Sequence, residues 1–91
     1  MKQEPRPKAV AMQYERGKDR APKVTAKGQG ILAEKILALA REHHIPIQKD
    51  KALLEALYRL DLNEEIPEEL YQVVAEVLAF IYRMNRLRAG A

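Results

Sequence analysis

Residues 23–48 read KVTAKGQGILAEKILALAREHHIPIQ, and the punctuation of this stretch decides the fold. Lys23-Val-Thr-Ala-Lys27 reads as a short strand stopped by Gly28. From about Gly30 to His44 the apolar residues recur at helical spacing. With Ile31 at 0° and about 100° per residue, Leu32, Ile36, Leu39 and Ala40 share one face. Glu34, Lys35, Arg41 and Glu42 fall opposite, so an amphipathic helix packed on one side is expected. Pro46 stops it. Ile45-Pro-Ile-Gln48 then reads as a strand, confined by its proline to an edge or a strand start. Strand, helix and strand over so short a span predict a right-handed, parallel βαβ unit.

Upstream, Val10, Met12 and Tyr14 alternate with small or polar residues. Lys8 to Tyr14 is therefore expected to be a strand with these larger side chains facing a core. Glu15 to Arg20 is a charged loop. Residues 1–7 hold two prolines and three charges and read as a flexible arm preceding a domain of residues 8–88. Downstream, Asp50 is a good N-cap for a helix from Lys51 to about Leu60, with Leu53, Leu54 and Leu57 inward. Asp61 to Ile66 is a polar connector. Pro67 is expected at the first position of the last helix, with Glu68 and Glu69 in its first turn and Arg83, Arg86 and Arg88 at its far end. Both charge placements suit the helix dipole. The expected architecture is α/β: a small mixed sheet of about three strands with a βαβ unit, packed by three helices.

The last helix carries more apolar surface than one core contact needs. With Leu70 at 0°, Val73, Val74, Val77, Ile81 and Met84 fall within about 60° of it. A second set, Tyr71, Ala75, Leu78 and Tyr82, clusters between about 80° and 140°, and Phe80 lies on the other flank. Either the neighbouring helices cover the excess or part of it is an exposed docking patch.

The chain has 91 residues, 47% apolar and 32% charged, enough for one domain with one modest core. Charge is unevenly spread: residues 1–28 sum to +5, 29–60 to +1 and 61–91 to −3. The absence of cysteine excludes disulfides, thiolate metal sites and thiol catalysis. Neither a secretory leader nor a spanning segment is visible, so a soluble cytoplasmic chain is expected. Thr25 is the chain's only serine or threonine, and it has no base nearby in sequence. His43 and His44 point about 100° apart on a helix and suit a helix end better than a metal. Gly28-Gln29-Gly30 lacks the third glycine and the lysine of a phosphate loop and reads as a turn. Glu64, Glu65, Glu68 and Glu69 read as a solvated connector and helix start. No metal, cofactor, small-molecule substrate or catalytic constellation is indicated. The basic residues of the front, Lys2, Arg6, Lys8, Arg16, Lys18, Arg20, Lys23 and Lys27, allow a second reading. In it the chain is an adaptor that binds nucleic acid or anionic membrane through residues 1–27. Against this reading, only Tyr14 among the aromatics lies nearby and no recognised binding motif appears, so a solvated basic surface is the simpler expectation.

Five local patterns resemble one family in order and spacing: Ala9-Val-Ala-Met-Gln-Tyr14; Ala21-Pro-Lys-Val24 with Ala26-Lys-Gly28; Glu42-His-His-Ile-Pro46; Ala56-Leu-Tyr-Arg59; and Glu65-Ile-Pro-Glu-Glu-Leu-Tyr71 with Val74-Ala-Glu-Val-Leu-Ala79. Over about residues 5–88 the chain is similar to the cytoplasmic C-terminal domain of FlhB, the flagellar type III export switch protein, with YscU and SpaS more distant. The family's signature, Asn-Pro-Thr-His before the first strand, falls on Glu4, Pro5, Arg6 and Pro7. Only the proline remains. The family's self-cleavage needs the asparagine amide as nucleophile, so the resemblance implies a chain that does not cleave itself. Because the chain opens just before the motif position, it resembles a free-standing paralogue without the membrane domain. The resemblance further implies an apolar docking surface at Ala21, Pro22, Ala75 and Leu78, the last two already in the surplus stripe. The implied partners are flagellar export substrates, cytoplasmic components of the export gate and full-length FlhB. The implied location is cytoplasmic, peripheral at the inner-membrane export apparatus.

Overall fold

The computed structural model describes residues 6–89, with side chains to residue 85. Two strands, β1 (Lys8–Gln13) and β2 (Lys23–Gln29), pair antiparallel. Helix α1 (Ile31–Glu42), helix α2 (Lys51–Tyr58), a 3-10 turn (Glu68–Leu70) and helix α3 (Tyr71–Ala89) follow. The expected α/β class and three helices are present. In the strand register Ala11 faces Ala26 and Met12 faces Val24, so Thr25 is the extra residue of a bulge.

The expected third strand and the βαβ unit are not formed. The sheet has two strands, and residues 45–48 are exposed coil. The cause lies at the end of α1. His44 takes φ 56, and Ile45 N–H donates to the Ala40 carbonyl at 2.8 Å while His44 N–H donates to Arg41. This pair of bonds is a Schellman closure, which turns the chain off the helix away from the sheet. Pro46 has no N–H with which to join a ladder. The free edge of β2 is taken instead by the polar connector. Asn63 N–H donates to Val24, Val24 N–H to Glu64 and Ile66 N–H to Pro22, with Lys23 bridging to Glu65. Gly28 does not stop β2, which runs on to Gln29.

α1 packs on both strands, and α2 packs on β1. Val10 and Met12 of β1 lie on a cluster of Leu53, Leu57, Ile66 and Val74. Strand alternation therefore turns Ala9 and Ala11 to the α1 side. The buried face of α1 is not the expected one. Ala33 is fully buried and Ile36, Leu37 and Ala40 are half-buried, while Leu32 and Leu39 are exposed. The helix is turned by roughly 60° from the face drawn by counting large apolar residues. Close approach to the sheet needs the small side chain of Ala33 inward. A Cβ at Gly28 would fall against Leu32 Cγ, so Leu32 rides over bare strand backbone.

Asp50 caps α2 as expected, its side chain accepting from Leu53 N–H at 3.1 Å. Leu53 and Leu57 are buried. Pro67 is the cap of the 3-10 turn rather than the first residue of α3, with Glu68 and Glu69 inside that turn. Along α3 the expected core stripe is covered unevenly, with Ile81 half-buried although Val73, nearer the start, is exposed. Val74 is buried and Leu70, Val77 and Leu78 are half-buried against the cluster, whereas Val73, Phe80, Tyr82 and Met84 are exposed. Arg86 and Arg88 lie outside the described side chains.

Candidate docking groove

α3 meets the approach to β2 along an open groove of about 290 Å³. Ala21, Pro22, Ala75 and Leu78 all line it. Two of the four come from the bend that leads into β2 and two from the surplus flank of α3. The bend is fixed because the Pro22 carbonyl accepts from Ile66 N–H at 2.9 Å. That bond also buries Ile66 in the groove's floor. Ala21 is buried, Leu78 is half-buried against the core and Ala75 is exposed.

Tyr14, Arg16, Arg20, Tyr71, Ala79 and Tyr82 also line the groove, beyond the four positions that the family resemblance implies. Tyr71 and Tyr82 share the helical arc of Ala75 and Leu78, so periodicity alone pointed to them. Strand alternation predicts Tyr14 toward the core, but β1 ends at Gln13 and Tyr14, half-buried, lines the groove. Nothing local marked Arg16 and Arg20, because a charged loop between strands reads as solvent-facing whatever it folds against. The Arg16 guanidinium lies 5.3 Å over the Tyr82 ring, and Arg20 pairs with Glu65 at 3.1 Å.

Glu4 and Pro5 lie outside the described residues. Arg6 and Pro7 are exposed, and the Pro7 carbonyl accepts from Gly30 N–H at 2.8 Å. Gly30 joins β2 to α1 with φ 65 and ψ −127, a conformation open to glycine almost alone. The Gly-Gln-Gly segment is thus a strand end and helix start. His43 and His44 are exposed at the end of α1. Among the described residues no group of three or more metal-binding side chains is assembled. No helix there is long and apolar enough to cross a membrane.

Much of the basic front is engaged within the domain. Lys8 pairs with Glu55 at 3.1 Å and Lys18 with Glu15 at 3.7 Å. Lys27 donates to the carbonyls of Tyr58 and Leu60. The Lys8 and Lys27 ammonium groups both lie over the Tyr58 ring, 5.1 and 5.4 Å from its centroid.

A family model described as the FlhB HrpN YscU SpaS family matches residues 3–81. The uncharacterized protein YlqH of Bacillus subtilis is 43% identical over 83 residues, covering 91% of this chain and 89% of YlqH. The flagellar biosynthetic protein FlhB of Salmonella typhimurium is also 43% identical, over 81 residues, covering 88% of this chain. The chain spans 21% of that FlhB. Among solved structures, the cytoplasmic domain of FlhB from Shewanella putrefaciens superposes with TM-score 0.85 at 37% identity, covering 91% of this chain and 69% of that one. The PscU C-terminal domain superposes with TM-score 0.76 at 35% identity, covering 81% of this chain and 95% of that one. Matched over most of its length in both sequence and structure, the chain belongs to the FlhB HrpN YscU SpaS family, and its described residues carry the fold of the family's C-terminal cytoplasmic domain.

Proposed function

We propose that this domain is a cytoplasmic, non-cleaving docking module of flagellar type III export. It binds export substrates or cytoplasmic parts of the export gate through the groove of Ala21, Pro22, Ala75 and Leu78. The observation that carries this reading is the convergence of those residues. Two positions near the start of the chain and two on the last helix line one groove. Three tyrosines and two arginines also line the groove, residue types enriched where interfaces concentrate binding energy. Its size suits one or two side chains of a peptide rather than a large cofactor.

The non-cleaving part rests on chemistry. The chain's two asparagines, Asn63 and Asn85, precede Glu64 and Arg86. No asparagine therefore stands before a proline, and the amide nucleophile of the family's cleavage is missing.

The test is a binding assay with a purified flagellar export substrate and with a purified cytoplasmic domain of the export gate. Ala75→Glu is the informative variant, because Ala75 is exposed and lies in the groove. It should abolish capture while leaving the melting temperature unchanged. Leu78→Asp is a poorer probe, since Leu78 packs on the core cluster and its loss also destabilises the fold. Undiminished capture by Ala75→Glu sinks the docking reading.

A further inference from the structure

The groove's charge is uneven in a way that its apolar lining does not explain. Three of the chain's four tyrosines, Tyr14, Tyr71 and Tyr82, form its walls. Arg16 and Arg20 stand at its edge. Every carboxylate of the adjoining loop is already occupied. Glu15 N–H donates to Asp19 Oδ2 at 2.7 Å, Glu15 pairs with Lys18, and Glu65 holds Arg20 at 3.1 Å. Arg16 has the Tyr82 ring and, among the described residues, no carboxylate within ion-pair distance. Glu76 of α3 lies about 160° round the helix from Leu78 and does not line the groove. The site thus joins an apolar slot to one uncompensated guanidinium, whose planar fork suits a carboxylate better than a ring face does.

We propose that the groove selects peptide segments in which an apolar anchor is flanked by an aspartate or glutamate, with Arg16 reading the carboxylate. This rests on the groove being the docking site and adds what that site prefers. The anchor enters the slot beside Ala75 and Leu78. The acidic neighbour takes the Arg16 guanidinium, which gives up its place over Tyr82 or shares it. A basic neighbour meets the same guanidinium as a like charge and is rejected, so the contact works by exclusion as well as attraction.

The experiment uses the whole chain and two fluorescein-labelled dodecapeptides with the same phenylalanine or leucine anchor, one flanked by glutamates and one by lysines. Binding is read by fluorescence anisotropy at low and high salt. The glutamate peptide should bind about two- to fivefold tighter at low salt, with the advantage lost at high salt. Arg16→Glu should reverse the preference, and Arg16→Lys should keep its direction. Because Arg16 is an exposed loop residue, both variants should melt with the wild type. Equal binding of the two peptides, with Ala75→Glu abolishing both, overturns the charge selection and leaves the groove as the docking site. Absence of binding by either peptide to the wild type overturns the selection and counts against the groove itself.

Discussion

The Lys27 ammonium donates to the Leu60 carbonyl at 2.7 Å and to the Tyr58 carbonyl at 3.1 Å. A strand residue thereby closes the C-terminal end of α2, where carbonyls are left without helical partners and positive charge is favoured. The same contact fixes the sheet's lateral position against the helix that supplies Leu53 and Leu57 to the core.

Removing that ammonium isolates its contribution. Lys27→Met keeps most of the stem and should cost about 1–2 kcal/mol, chiefly by stranding two part-buried carbonyls. Urea unfolding should show a lower midpoint with an unchanged slope. An unchanged midpoint would mean that water satisfies these carbonyls equally well.

Gly28→Ala tests the closeness of α1 to the sheet. The added methyl would sit 2.9 Å from Leu32 Cβ as well as against Leu32 Cγ, and a Cβ cannot swing aside as a side-chain tip can. A loss of about 1–3 kcal/mol is expected. Leu32→Ala in the same background should restore part of it, since Leu32 is exposed and contributes little burial of its own. Full additivity of the two changes in a double-mutant cycle would disprove the contact.

His44 occupies the left-handed closing position of α1 at φ 56, usually a glycine's place. His44→Gly should raise stability by about 0.5–1 kcal/mol, visible as an upward shift in melting temperature. His44→Val should lower it. A melting temperature that falls with glycine would show that the imidazole makes contacts outweighing its backbone cost.

Self-cleavage is expected to be absent. Intact mass after prolonged incubation at alkaline pH should show the uncut chain alone. A fragment beginning at Pro5 would overturn the expectation.

Local sequence signals located most of the secondary structure. Asp50 before a leucine-rich run and Pro67 before two glutamates marked helix starts, because capping and dipole effects act within one turn. The absence of a strand at residues 45–48 has an equally local origin. Ile45-Pro-Ile47 is apolar enough for a strand, but the Schellman closure at His44 sends it into solvent. The partner β2 acquired instead, residues 63–66, is acidic and reads as a connector. Its ladder bonds come from backbone groups, which every sequence carries and no side-chain pattern reports.

The amino-acid sequence by itself determined the helices, the two strands β1 and β2 but not how they pair, the absence of any Asn-Pro step and the surplus apolar arc on the last helix. Each depends on residues close together in the chain. Tertiary structure alone decided which face of α1 is buried, since a sheet admits the helix side with Ala33 rather than the side with the most leucine. It also decided that Ala21, Pro22, Ala75 and Leu78 share a groove with three tyrosines and two arginines. Those neighbours are far apart in sequence, and the backbone bonds of residues 63–66 to β2 help to set the bend that brings them together.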